Sequence, residues 1–142
     1  MIILDTDVLS ALMRKAPEAP VVAWLDRQPA ESVWITVVTL FEVRFGLRRL
    51  AVGARRRALE AGFDRLLEED LENRVLDFDR DAALAAADLA AEREKKGRPV
   101  DFRDTEIAGI ALARRATIAT RNTRHFRDLG VPVVDPWPGA TA

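Results

Sequence analysis

The residues of this chain best suited to chemistry are acids and an amide that recur at one kind of place, after a short strand-like run or at the start of a helix-like one. Asp5 follows Ile2–Leu4, Glu42 comes shortly after Val33–Val37, Asn122 follows Ala116–Thr120, and Asp104 opens another helix-like run. In a parallel α/β sheet all strand C-termini lie on one edge, where such folds place their sites. Carboxylates far apart in sequence can therefore meet in one cleft. Crowded there, they repel one another and are costly to ionise together unless a divalent cation neutralises them.

Composition restricts that cation. The chain has no cysteine, which excludes disulfides, thiolate nucleophiles and structural zinc. His125 is the only histidine, so histidine-rich metal sites are excluded and Ser-His-Asp chemistry has a single possible base. A site built from oxygen alone suits hard cations, Mg²⁺ or Mn²⁺ above all. Such an ion can lower the pKa of a water to make an attacking hydroxide and can stabilise charge on a phosphate. No protein nucleophile is then required.

Each acid also has a purely structural explanation. Asp5 can cap the following helix by accepting orphan backbone N–H bonds, although Thr6 and Asp7 beside it can do the same. Thr39-x-x-Glu42 matches a capping box, in which the glutamate reaches back to the cap residue's own N–H. Asp104 has Asp101 as a rival cap and Glu106 as a rival carboxylate, and spacing does not choose among them. Asp7 reads most simply as a first-turn acid favoured by the helix dipole. Asn122 and His125 can cap the next helix or face solvent.

The elements that must position these residues alternate. Strands are expected at Ile2–Leu4, Ser32–Val37, Arg74–Phe78, Ala116–Thr120 and Pro132–Val134, with helices between them. The helices are expected near Thr6–Met13, from Pro17 and Pro20 to Gln28, at Leu40–Leu50, through Ala54–Asn73, at Asp79–Lys96 stopped by Gly97, at Thr105–Arg115, and near Thr123–Leu129. Ala108, Gly109 and Ala111 mark a helix face that permits close packing. This pattern implies an α/β fold with a mostly parallel sheet of about five strands and helices on both faces.

The chain has 142 residues, sufficient for one domain spanning 1–142 and too short for two ordinary ones. At 49% hydrophobic and 32% charged it reads as a soluble globular protein. No apolar run approaches the roughly 18 residues of a membrane span, and the basic-then-apolar layout of a signal peptide is missing, so a cytoplasmic location is expected. The net charge of −1 argues against coating nucleic acid by bulk electrostatics. The basic residues are nearly all arginine, whose forks match phosphate geometry bidentately. They cluster at Arg44, Arg48 and Arg49, at Arg55–Arg57, and at Arg114, Arg115, Arg121, Arg124 and Arg127. Solvated helix faces are the simplest reading of each cluster.

Taken together, the segments Met1–Ser10 (MIILDTDVLS), Val37–Leu47 (VVTLFEVRFGL), Asp104–Ala111 (DTEIAGIA), Ala119–Phe126 (ATRNTRHF) and Val131–Trp137 (VPVVDPW) resemble the PIN-domain family. The likeness is to VapC-type toxins of bacterial toxin–antitoxin pairs, in particular the FitB-like branch, and runs through essentially the whole chain. The resemblance implies a Mg²⁺- or Mn²⁺-dependent endoribonuclease with Asp5, Glu42 and Asp104 as metal-binding acids. The family commonly carries a fourth acid in the segment matching Thr120–Phe126, where this chain has Asn122 and His125 instead. Asn122, Thr6 and Thr120 would be auxiliary groups, and Arg121, Arg124 and Arg44 would grip RNA phosphates.

The resemblance further implies a homodimer and an antitoxin whose C-terminal segment covers the site and whose N-terminal part often binds operator DNA. The early helices, with Leu9, Leu12, Met13, Val22, Trp24 and Leu25, are the expected receiving surface unless core packing accounts for them. Two other classes compete. A non-catalytic PIN-like domain that only binds RNA or a partner fits the missing fourth acid. A haloacid-dehalogenase-like phosphatase fits Asp5-Thr6-Asp7, but its chemistry wants a lysine opposite the phosphate, and Lys95 and Lys96 end a helix.

Overall fold

A computed structural model describes residues 1–137. The order of elements is β1 (Ile2–Leu4), α1 (Thr6–Leu12), α2 (Ala19–Asp26), β2 (Val33–Thr36), α3 (Val37–Arg48), α4 (Ala54–Arg65), β3 (Val75–Leu76), α5 (Arg80–Lys95), α6 (Phe102–Arg114), β4 (Thr117–Ala119) and β5 (Val133–Val134). The five strands form one sheet in the order β3-β2-β1-β4-β5, and every pairing is parallel. The chain builds outward from β1 in one direction through β2 and β3, then returns to add β4 and β5 on its other side. That reversal leaves a crevice between the C-terminal ends of β1 and β4, the kind of place where open parallel sheets bind ligands.

Alternation along the strands divides the core between the two faces. Ile3 and Ile118 enter one cluster with Val38, Ile107, Ile110 and Phe126, whereas their neighbours Leu4 and Ala119 enter another with Val8, Leu9, Val21 and Phe63. The first cluster lies under α5 and α6, the second under α1, α2 and α4, and α3 contributes Val38 to one and Val43 and Leu47 to the other. The helices therefore cover both faces, as the sequence pattern implies. Gly109 is what lets α6 approach α5: a Cβ there would stand 2.5 Å from the Ala82 carbonyl oxygen. Among the described residues no helix is long and apolar enough to cross a membrane.

Several boundaries differ from the sequence expectation, each for a local reason. Val37 reads as the end of a strand with a helix from Leu40, but α3 begins at Val37 because the buried Thr36 hydroxyl accepts from the Thr39 N–H at 3.2 Å and caps the helix there. Likewise α6 begins at Phe102, since Asp101 is its cap and accepts from the Asp104 N–H at 3.1 Å. The apolar stripe from Ala54 is not one helix: α4 ends at Arg65 and a π-helical turn over Leu66–Asp70 follows. The helix expected near Thr123–Leu129 is a single 3₁₀ turn, Thr123–His125. Most early-helix hydrophobics are core, with Leu9 fully buried and Leu12, Met13, Trp24 and Leu25 packed against its cluster.

Candidate active site

Asp5 ends β1 at the crevice and is only 5% exposed. Both carboxylate oxygens are engaged: Oδ1 accepts from the Thr6 N–H at 2.8 Å and Oδ2 from the Thr120 hydroxyl at 2.8 Å. Asp5 is thus both the cap of α1 and a bridge to the end of β4, whose backbone it already meets through its own N–H to the Ala119 carbonyl. Burial, then the neighbouring Asp7 and more weakly Asp104, push its pKa up to about 7, although the Thr120 and Thr6 hydrogen bonds oppose the shift. Its charge is costly in this site unless a cation shares it.

Glu42 projects from the second turn of α3 toward α1. Its Oε1 accepts from the Thr6 hydroxyl at 3.0 Å and its Oε2 lies 3.6 Å from the Arg103 guanidinium. The capping-box reading is therefore not realised: Thr36, not Thr39, is the cap, and the Thr39 hydroxyl instead faces that of Thr6 at 3.2 Å. Burial raises the Glu42 pKa, with the Asp104 and Asp101 charges adding to it and Thr6 and Arg103 opposing it.

Asp104 stands in the first turn of α6, and Asp101, by taking the cap, leaves its side chain free to point across the cleft. Its Oδ2 meets His125 Nδ1 at 2.7 Å. Glu106, the rival carboxylate, has no part in this hydrogen-bonded network among the described residues.

Asp7, which reads from sequence as a simple first-turn acid, belongs to the cluster. Its Oδ2 accepts from the Arg121 N–H at 3.0 Å, and the Thr120 hydroxyl and the Asn122 side-chain amide each lie 3.4 Å away. Its Oδ1 is buried with no hydrogen-bond partner. Burial, and to a lesser degree Asp135, raises its pKa. The recurrence of an acid two residues after Asp5 on the same helix turn was the one available signal, and dipole compensation explained it equally well.

The arginines are distributed unevenly. Arg121 donates its N–H to Asp7 while its guanidinium lies 4.9 Å from the Trp137 ring centre. Arg124 lines a pocket of about 580 Å³ with Arg98, Asp101, Asp104 and His125. Arg44 is directed toward α4, where Glu60 lies 3.9 Å from it, 3.6 Å from Arg48 and 2.8 Å from Arg56. Arg103, which nothing in the sequence singled out, is the cation that reaches an acid of the cleft. Lys96, required by the phosphatase alternative, pairs with Glu92 at the end of α5.

The residues suit a hard divalent cation by type. All the donors are oxygen, and Asp7 Oδ1 is a buried acceptor left without a donor. Among the described residues no three acid or imidazole groups converge closely enough to enclose an ion as they stand. Glu42 rests on Thr6 and Arg103 and Asp104 on His125 through one oxygen, so closing the acids on an ion requires Glu42 to leave Arg103. From Thr6 and Glu42 a groove of about 1140 Å³ runs past Leu12, Met13, Val43 and Leu47 to Phe63 and Leu66, with Arg14, Lys15, Arg55 and Arg65 along it.

A five-stranded parallel sheet with acids gathered at the crevice beside its first strand defines a class of protein, and the family model for the PIN domain matches residues 2–132. The chain belongs to the PIN domain family. Among its relatives, the plasmid stability protein StbB of Pseudomonas syringae pv. tomato is 39% identical over 96% of this chain and 99% of that protein. The VapC ribonuclease Y4jK of Sinorhizobium fredii is 36% identical over 99% of this chain and all of its own length. A solved structure of FitAB bound to an IR36 DNA fragment superposes with a TM-score of 0.89 at 32% identity, covering 99% of both chains.

Proposed function

We propose that this protein is a Mg²⁺- or Mn²⁺-dependent endoribonuclease that acts as the toxin of a toxin–antitoxin pair. The observation that carries the reading is that Asp5 and Asp7 at the start of α1, Glu42 in the second turn of α3 and Asp104 in the first turn of α6 lie near enough for their charges to act on one another, in a chain without thiols. The likeness to a VapC ribonuclease along its full length supports the reaction class.

Asp5, Glu42 and Asp104 would hold the ion, with Asp7 beside them. When bound, it supplies a water of lowered pKa and neutralises charge at the scissile phosphate. Thr120 and Thr6 fix the two acids they touch, so that Asp5 and Glu42 present set oxygen atoms. Arg121 and Arg124 flank the cleft and would grip the phosphates on either side of the cut, and Arg103, which pairs with Glu42, would have to give up that contact for Glu42 to serve as a ligand. Arg44, turned to Glu60, contributes only to the field beyond the cleft.

The partner in this reading is an antitoxin, supported by the likeness to FitAB, and the assembled toxin is a homodimer working in the cytoplasm. The groove leading away from Thr6 and Glu42 suits the antitoxin's covering segment, because it joins an apolar floor to the acids themselves.

The test is cleavage of total cellular RNA by purified, antitoxin-free protein with Mg²⁺ or Mn²⁺, beside EDTA and Asp5→Asn. Discrete fragments that vanish in both controls are the expected result. Folded protein that binds RNA yet neither cleaves it nor binds Mn²⁺ would instead support a non-catalytic binding role, for which Asn122 in place of an acid is the specific argument.

A further inference from the structure

We propose that Arg93 and Asp128 are positioning residues for Asp104, acting through His125. The inference rests on the metal-dependent reading above and adds to it a support that reaches the cleft from the far side of α6.

Arg93 is a charged side chain near the end of α5, yet it is only 5% exposed. Its Nε and Nη2 donate to the two oxygens of Asp128 at 3.1 and 2.9 Å, and Nη2 also donates to the His125 carbonyl at 2.5 Å. Arg98 donates to Asp128 Oδ2 at 2.9 Å, closing the far side of the same carboxylate. The fork geometry of guanidinium on carboxylate fixes direction as well as distance. The main chain at residue 125 is therefore pinned from α5, while Phe126, fully buried in the core, anchors the next residue. These two points place the backbone that carries the half-exposed imidazole.

The held imidazole does one visible thing. Its Nδ1 lies 2.7 Å from Asp104 Oδ2, and because an ionised carboxylate only accepts, Nδ1 is the donor. One oxygen of Asp104 is thereby tied and the other left to face the cleft. A ligand carboxylate with one oxygen hydrogen-bonded behind it is the arrangement that orients ligands in metal sites, and loss of such a support commonly lowers metal affinity by about 10–100-fold. The short turn Thr123–His125 lacks a side-chain cap at its start, and Arg93 supplies the side-chain hydrogen bond at its end.

The test is Mn²⁺ titration of the full chain by calorimetry, with melting temperature recorded for each variant. His125→Ala is expected to weaken Mn²⁺ binding by about tenfold or more. His125→Asn, whose amide can donate to the same oxygen, should recover most of the loss. Asp128→Asn, which loosens Arg93 without touching the cleft, should weaken binding several-fold. Leu71→Ala, a buried core change, calibrates what lost stability alone does and should leave Mn²⁺ affinity unchanged. Folded His125→Ala and Asp128→Asn proteins that bind Mn²⁺ as the wild type does would overturn this inference alone. A wild type without Mn²⁺ affinity would overturn the metal reading and this inference together.

Discussion

The Thr120 hydroxyl, at the end of β4, donates to Asp5 Oδ2 at 2.8 Å and accepts from the Asn122 N–H at 3.0 Å. One fully buried side chain thus joins the acid that follows the first strand to the turn that follows the fourth. Thr120→Val keeps the shape and removes both bonds. Leaving the buried Asp5 oxygen and the Asn122 N–H without this partner should cost about 1–3 kcal/mol of stability, read by urea unfolding. It should also weaken Mn²⁺ binding, because Asp5 is no longer oriented. Unchanged values for both would show that water replaces the hydroxyl without loss.

Asp5 sets a pH dependence whose sign differs from that of an ordinary salt-bridged acid. Its pKa rises from 3.8 to about 7 on folding, so between those values the folded chain binds more protons than the unfolded one. Stability of the metal-free protein should then fall as pH rises from 5 to 8, by at most about 3 kcal/mol. The upward shifts at Asp7 and Glu42 act in the same direction. Asp128, held below its usual range by the Arg93 hydrogen bond, is ionised in both states throughout that window and contributes no slope. Melting temperatures in EDTA should decline from pH 5 to 8, Asp5→Asn should flatten the decline, and Mn²⁺ should reverse it in the wild type. A flat wild-type profile in EDTA would contradict the burial argument.

Much of this was legible in the sequence. Alternating apolar runs implied the parallel sheet, and the positions of Asp5 and Glu42 after strands and of Asp104 at a helix start pointed to one edge. What could not be read was geometry that depends on a distant partner. The capping box at Thr39 was a sound local reading, but the helix starts earlier because Thr36 is buried at the end of β2 and competes for the cap. Asp7 looked dispensable because its role exists only once β4 brings Thr120 and Arg121 beside it. Arg93 and Arg103 carry no local motif, and each matters through a residue far away in the chain.

Gly109 offers a test of the packing that supports the site. A Cβ at this position would stand 2.5 Å from the Ala82 carbonyl, 2.7 Å from Ala86 Cβ and 3.0 Å from the Ala86 N. Two of these are backbone atoms, so α5 itself must move. Gly109→Ala should destabilise by about 1–3 kcal/mol or more. Gly62, within α4, meets nothing within 4 Å, and Gly62→Ala should stabilise by about 0.5–1 kcal/mol. Urea midpoints moving in opposite directions for the same chemical change would confirm that α5 and α6 are in backbone contact.

Asn122 makes the sharpest prediction about the metal. Its amide nitrogen lies 3.4 Å from Asp7 Oδ2, so it acts as a donor toward an acid where an aspartate would be a further ligand. A donor at this point favours a single ion, and calorimetry should give one Mn²⁺ per chain. Asn122→Asp replaces that donor with a charge facing Asp7, whose own burial already raises its pKa. In EDTA the added repulsion should lower stability, since like charges at close range disfavour ionisation of both. With millimolar Mn²⁺ the same pair becomes a site, and the stoichiometry should rise toward two with a matching gain in melting temperature. Two ions in the wild type would show that the Asn122 amide is no barrier to a second. One ion in the variant would show that Asp7 is committed to Arg121 and Thr120 and is not available as a ligand.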